Sequence, residues 1–224
     1  MRIVVKVGTS TLTYPTGRLN IRRAEELVKV LSDLKNAGHE MVLVSSGAIG
    51  MGVGKLSLSA RPADMAGKQA CAAVGQCELM YTYDRLFADY NHTVAQILLT
   101  GVDVEHTERR QNFENTLYRL LELGALPIIS DIDGLYTANP RTHPDARLIP
   151  LVEDVTPDIL RLSDGAGSAL GTGGMATKLR AAQMVTADGV EMVIANGAHP
   201  ELLYQIAEGQ PAGTRFAAKP RRHG

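Results

Sequence analysis

Tryptophan is absent from this 224-residue chain, and aromatic residues make up only 4% of it. Any core must therefore be built mainly from Leu, Val, Ile, Ala and Met. Cysteine is nearly absent too. Cys71 and Cys77 match neither a C-x-x-C redox pair nor a zinc pattern, and two cysteines exclude a disulfide-rich scaffold. Six residues apart on one predicted helix, they fall on different faces. The expectation is a reducing compartment with buried, inert thiols. There is no excess of either charge. Lys plus Arg number 23 and Asp plus Glu 24, for a net charge of -1. A dedicated nucleic-acid binder would carry a basic excess, and the terminal Lys219, Arg221, Arg222 and His223 read as a solvated end. No apolar run reaches the roughly 18 residues of a membrane helix. Met1 leads straight into a strand-like run rather than a secretory leader. The expected location is cytoplasmic, with neither nucleic acid nor membrane as a partner.

What is present is a 45% hydrophobic, 21% charged composition with 22 Gly and 10 Pro. That suits a soluble globular protein and excludes collagen-like or disordered chains. The length suits one large domain. Strand and helix signals alternate. Ile3–Val7 reads as a buried strand ended by Gly8. A helix follows with Asn20 as its N-cap and Ala24, Leu27, Val28, Leu31 and Leu34 at spacings of three and four, closed by Gly38. Met41–Val44 is the second strand. Met65 to Phe87 is a small-residue helix, and Val94–Leu99 is the third strand. Asn112 to Leu123 is a helix stopped by Gly124, and Leu126–Ile129 is the fourth strand. Beyond it, 148–152 reads as a short strand, 156–162 as a helical turn, 175–188 as a helix, Glu191–Ala195 as a strand and 200–208 as a last helix. Apolar, unalternating strands separated by helices predict a parallel sheet covered on both faces, an α/β fold.

In such sheets ligands gather at the carboxyl ends of the strands. The residues there are Gly8-Thr9-Ser10-Thr11, Ser45-Ser46-Gly47-Ala48-Ile49-Gly50 and Ser130-Asp131, while Gly171-Thr172-Gly173-Gly174 precedes the helix at 175. Glycine admits close backbone approach, and a helix start offers free N–H groups to phosphate. The common nucleotide motifs fail. Gly50-Met51-Gly52-Val53-Gly54-Lys55 is G-x-G-x-G rather than G-x-G-x-x-G, and Leu56 stands where a P-loop needs Ser or Thr. A dehydrogenase and a P-loop NTPase are thus both disfavoured. Two lysines stand out. Lys6 lies inside an apolar strand, where it must either face a ligand or reach solvent from a strand edge. Lys178 lies in the first turn of a helix, where a cation is disfavoured unless an anion offsets it. It could equally be an ordinary surface lysine. Phosphoryl transfer needs positive charge around the moving group and little else from the protein. Thr9 and Ser46 could hydrogen-bond phosphate or substrate. Asp131 and Asp133 could face Mg²⁺ or a nucleotide, or simply make a turn with Gly134.

Several runs resemble the glutamate 5-kinases of the amino acid kinase family. They are Val4–Ser10, Ser45–Ile49, Lys68-Gln69-Ala70-Cys71-Ala72-Ala73-Val74-Gly75-Gln76, Gln96–Thr100, Asp131–Arg141 and Gly171–Leu179. They occur in order over nearly the whole chain. The Lys-Gln…Val-Gly-Gln and Gly-Thr-Gly-Gly-Met runs set it apart from carbamate, uridylate and aspartate kinases. The resemblance implies a single amino acid kinase domain over residues 1–224, a three-layer αβα sandwich with a mostly parallel central sheet, without the C-terminal RNA-binding-like domain that some members carry. It implies transfer of the ATP γ-phosphate to the side-chain carboxylate of L-glutamate, the first step of proline synthesis, with Mg²⁺ held mostly by phosphates and water and no protein metal ligand assigned. Lys6 and Lys178 would contact the phosphates and stabilise the transition state. Gly8, Thr9, Ser130, Asp131 and the loop Thr172, Gly173, Gly174, Met175, Ala176, Thr177 and Lys178 would hold the nucleotide. Ser46, Gly47 and Ala48 would hold glutamate. Proline as feedback inhibitor and a dimer or tetramer are implied as well.

One departure follows from the same resemblance. In the family the strand ending Pro-Ile-Ile runs into Asn-Glu-Asn-Asp, then a Gly-Asp-Asn-Asp segment, a helix and another strand before Asp-x-x-Gly-Leu-Tyr. Here Pro127-Ile128-Ile129 meets Ser130-Asp131 directly. The absent strand–helix unit would include glutamate ligands and an Asp that orients the two lysines. The expectation is a chain that binds nucleotide but phosphorylates glutamate poorly. The alternatives are a non-catalytic nucleotide-binding paralogue and a kinase of the same fold acting on another small acid.

Overall fold

The computed structural model describes residues 1–14, 16, 18–99, 101–131, 151–152 and 175–220. It divides into two compact units, Met1–Asp133 and Gly134–Gly224.

The first unit runs β1 (Arg2–Val7), α1 (Thr9–Leu12), α2 (Ile21–Asn36), β2 (Glu40–Ser45), α3 (Ala48–Lys55), α4 (Met65–Ala88), β3 (Val94–Leu99), α5 (Gly101–Glu105), α6 (Thr107–Glu122) and β4 (Leu126–Asp131). Its four strands form one parallel sheet in the order β1-β2-β4-β3. The helix start at Asn20 forms as expected, its side chain accepting from the Arg23 backbone N–H at 3.3 Å. Ala24, Leu27, Val28, Leu31 and Leu34 are all buried. Asp64 caps α4 in the same way, accepting from Gly67 N–H at 2.7 Å.

Successive side chains of a strand alternate between faces, and parallel partners share a face. The register pairs Val7 with Ser45 and Val44 with Ile129, so Val7, Ser45 and Ser130 share one face. That face is the one α4 covers: the Tyr83 hydroxyl lies 2.9 Å from Ser45 Oγ, and Gln76 donates to Ser130 Oγ at 2.9 Å. Arg2, Val4 and Lys6 belong to the opposite face, and there the Arg2 guanidinium stacks 5.0 Å over the ring of Tyr118 in α6. The first unit therefore carries helices on both sides of a parallel sheet, as the sequence predicts.

The second unit contains β5 (Leu151–Val152), α7 (Met175–Ala187), β6 (Met192–Ile194), α8 (Leu202–Ala207) and β7 (Thr214–Phe216). Its sheet has the order β5-β7-β6, with β7 parallel to β5 and antiparallel to β6. Val152, Leu179, Ala182 and Phe216 form its core, with Met175, Met192 and Ile194 packed against it. Both units are α/β in type, the first sheet wholly parallel and the second mixed.

Several elements differ from the sequence expectation. α6 begins at Thr107 rather than Asn112, and β4 runs on through Ser130 to Asp131. β7 is an addition. The Gly50–Lys55 run, to which the sequence assigned no element, lies in helix α3. Cys71 is buried, but Cys77 is exposed, which corrects the expectation of two buried thiols. The strand expected at 148–152 is described at its last two residues only. Residues 148–150 and the turn at 156–162 lie outside the described residues.

Candidate functional site

The carboxyl edge of the four-stranded sheet collects the hydroxyl- and glycine-rich segments of the first unit. β1 ends at Val7 and opens into Gly8 and Thr9. Beside it β2 ends at Ser45 and opens into Ser46, Gly47 and Ala48. β4 ends at Ser130 and Asp131. These residues converge because parallel strands all finish at the same edge.

The loops are tied together through the backbone. Ser46 N–H donates to the Val7 carbonyl at 3.2 Å, joining the two strand ends. Gly47 then turns the chain into α3 at φ +151°, a conformation an L side chain rarely adopts. The first turn of α3 leaves backbone N–H groups without intrahelical acceptors. α1 starts one residue after Gly8, and Thr13 Oγ1 donates back to the Thr9 carbonyl at 2.9 Å. Three hydroxyl-bearing residues, Thr9, Ser46 and Ser130, and two helix starts thus line one edge. Such an edge offers hydrogen bonds to a carboxylate or to phosphate oxygens without spending a charged side chain.

Lys6 is exposed on β1, the edge strand, in register with Val44 and on the face opposite Ser45. Exposure there is shared by both positions the sequence left open, facing a ligand and reaching solvent from a strand edge. In the second unit Met175, Ala176, Thr177 and Lys178 form the first turn of α7, with Lys178 exposed. Thr172, Gly173 and Gly174 lie outside the described residues. Of the expected site residues, Gly8, Thr9, Ser46, Gly47, Ala48, Ser130 and Asp131 lie at one sheet edge of the first unit, Lys6 lies within β1, and Met175–Lys178 lie at one helix start of the second.

Sequence reasoning missed the support beneath the edge. Tyr83 is buried, and its hydroxyl pairs with the buried Ser45 hydroxyl. Burial pushes the Tyr83 hydroxyl well above its ordinary range, while the Ser45 hydrogen bond pulls it part of the way back. It therefore stays protonated at neutral pH. Ser130 is buried, and the Gln76 amide satisfies its hydroxyl. α3 and α4 cross in backbone contact. A Cβ on Gly75 would lie against the Ala48 carbonyl, 2.8 Å from its carbon, and one on Gly52 would lie 2.8 Å from Cys71 Cα. The signal for this crossing was a glycine placed inside an otherwise helical run, at Gly52 and again at Gly75.

The amino acid kinase family model matches residues 1–130 and 125–196. A glutamate 5-kinase of Clostridium perfringens is 45% identical over 257 residues, spanning 97% of this chain and 96% of that protein. One from Enterococcus faecalis is 39% identical over 254 residues, spanning 96% and 94%. One from Moorella thermoacetica is 42% identical, spanning 99% of this chain and 68% of that longer protein. Among solved structures, an isopentenyl phosphate kinase superposes with a TM-score of 0.62 at 16% identity, covering 97% of this chain and all of that one, a likeness of fold. The chain therefore belongs to the amino acid kinase family and, within it, to the glutamate 5-kinases.

Proposed function

We propose that this chain transfers the γ-phosphate of ATP to the side-chain carboxylate of L-glutamate, giving glutamyl 5-phosphate and ADP at the entry to proline synthesis. The observation that carries the reading is the convergence of Gly8–Thr9, Ser46–Ala48 and Ser130–Asp131 on one sheet edge. Ser46, Gly47 and Ala48 hold the glutamate. Gly8, Thr9, Ser130 and Asp131, with the segment from Thr172 to Lys178, hold the nucleotide. Lys6 and Lys178 balance the charge of the phosphates as the γ-group moves. The Mg²⁺ of the reaction would be carried by the phosphates and by water rather than by a protein cage. Bound there, the ion would screen the phosphate charge. Proline as an inhibitor of this first step, a homo-oligomer and a cytoplasmic location complete the proposal.

We further propose one amino acid kinase domain that lacks a strand–helix unit between Ile129 and Ser130. Two observations support this. The alignment with the Clostridium perfringens protein spans 257 residues, more than the 224 of this chain. The family match comes in two pieces that overlap at 125–130, where β4 begins. This favours a specific second reading, in which nucleotide binds and glutamate turns over slowly. An ADP-release assay with L-glutamate, L-aspartate and N-acetyl-L-glutamate, run beside a titration with ATP, separates the readings. Release specific to glutamate supports the first. ATP binding with turnover down by about 100-fold or more against a full-length relative, the cost of misplacing reacting groups, supports the second. Preference for another acid overturns both.

A further inference from the structure

Of the runs that mark the family resemblance, Lys68–Gln76 has no role in the reading above, and its place in the fold supplies one. This run forms the first half of α4, a 24-residue helix under the sheet edge. Three features of α4 reach the edge. The Gly75 backbone lies so close to the start of α3 that a Cβ there would meet the Ala48 carbonyl and the Gly52 nitrogen. The Gln76 side chain donates to Ser130 Oγ. The Tyr83 hydroxyl holds Ser45. α4 is itself rigidly seated, since Cys71, Leu79, Tyr83 and Phe87 are all 1% exposed or less.

Resting on the site reading above, we propose that Gly75 and Gln76 are adjacent positioning residues with separate duties: Gly75 sets the glutamate-binding start of α3, and Gln76 sets the nucleotide-side hydroxyl of Ser130. The physical basis differs for the two. Gly75 works by having no side chain. Any Cβ there collides with the Ala48 carbonyl, and because that atom is backbone, α3 must move. Gln76 works by satisfying a buried hydroxyl. Ser130 is 3% exposed, so without the Gln76 amide its hydroxyl turns to another partner or loses one.

The test is a double dissociation, read by titrating the full chain separately with L-glutamate and with a non-hydrolysable ATP analogue. Gly75→Ala weakens glutamate binding by about 10-fold or more, the scale expected for a displacement near 1 Å, and leaves the analogue within about threefold. Gln76→Leu does the reverse, and Ser130→Ala added to it gives no further loss, because the two act through one bond. A purely structural role would move both ligands together in each variant, and that result overturns the proposal, as does no change in either. Should Gly75→Ala fail to fold, Gly52→Ala presses on Cys71 from the other side of the same crossing and is read in its place. Failure of both also overturns the positioning role. If the unaltered chain binds neither ligand, the site reading falls on its own account. Amide exchange then still decides this inference: Gly75→Ala must loosen Ser46–Ala48 and spare Ser130, and Gln76→Leu must do the opposite. Equal loosening of both segments, or none, overturns it.

Discussion

Four strands of six residues each carry the sheet of the first unit, whereas the three described strands of the second are two or three residues long. A six-residue strand places three side chains on each face; a two-residue strand places one. The first unit accordingly buries Leu31, Met41, Leu43, Leu79, Tyr83, Phe87, Leu126 and Ile128 almost completely. The described core of the second rests on Val152, Leu179, Ala182 and Phe216. Both units obey the same local rules, with helices of apolar period between strands. Among the described residues the difference teaches that a longer strand gives more side chains to a buried face, whatever its local propensity. It also divides the proposed chemistry. The glutamate side and Ser130 stand on the thicker core, while Lys178 stands on the helix that packs against Phe216.

The largest expected effect tests that division directly. Phe216→Ala removes the one aromatic among the described core residues of the second unit and should cost about 3–5 kcal/mol. Amide exchange should rise across α7 and β7 while β1 and β2 keep their protection. An equal loss of protection in β1 and β2 would break the comparison between the units.

Much of the fold is legible in the sequence, because its signals are local. Asn20 begins α2, Gly38 ends it at φ +92°, and the spacing of Leu27, Val28, Leu31 and Leu34 gives the buried face. The edge residues were found by counting forward from each strand. What escaped depends on partners far away in sequence. Gly50, Gly52 and Gly54 gave no helix signal, because glycine is costly in a helix. They form α3 because Gly52 meets Cys71 across a tight crossing. Ser130 was read as a nucleotide residue, yet its tie to Gln76, 54 positions away, carries no local mark. β7 has only three residues, too few for a period to show.

Next in size is Tyr83→Phe, which sharpens the contrast from the side of the thicker core. The buried Ser45 hydroxyl loses its partner, at a cost of about 1–3 kcal/mol near neutral pH. The sign of the pH effect follows from the raised folded value. The unfolded tyrosine ionises near its ordinary 10.0, and the folded one resists. The neutral form's contribution to stability is therefore complete below about pH 10 and declines as pH rises beyond it, by up to about 1.4 kcal/mol per pH unit. The phenylalanine variant would carry no such dependence, so urea-unfolding curves of the two chains should converge as pH rises through and beyond that ordinary value of about 10. A constant gap would mean that Tyr83 is not sealed in the core.

A smaller loss is expected at the helix starts. Asn20→Ala and Asp64→Ala each remove a side chain that accepts from a backbone N–H, and each should cost about 1 kcal/mol. Thermal melts would show this, and placing Ser at either position instead should recover most of the loss. A cost above about 3 kcal/mol would exceed what a cap supplies and would mean that the thick core depends on its helix ends more than on its packing.

The smallest effect concerns the α3–α4 crossing itself. Lys55 and Glu78 form an ion pair at 2.8 Å between these two helices, with side chains 57% and 34% exposed. An exposed pair of this kind contributes about 0.2–1 kcal/mol, and that contribution should fade in about 1 M salt, where screening acts over about 3 Å. Lys55→Met should therefore lower the melting temperature slightly at low salt and hardly at all at high salt. Glutamate affinity should stay where it was, because the glycine-to-carbonyl contacts of Gly52 and Gly75 hold α3 by shape and are indifferent to salt. If Lys55→Met weakened glutamate binding as much as Gly75→Ala does, the crossing would be held by charge, and the first unit's site would owe its geometry to its surface rather than to the depth of its core.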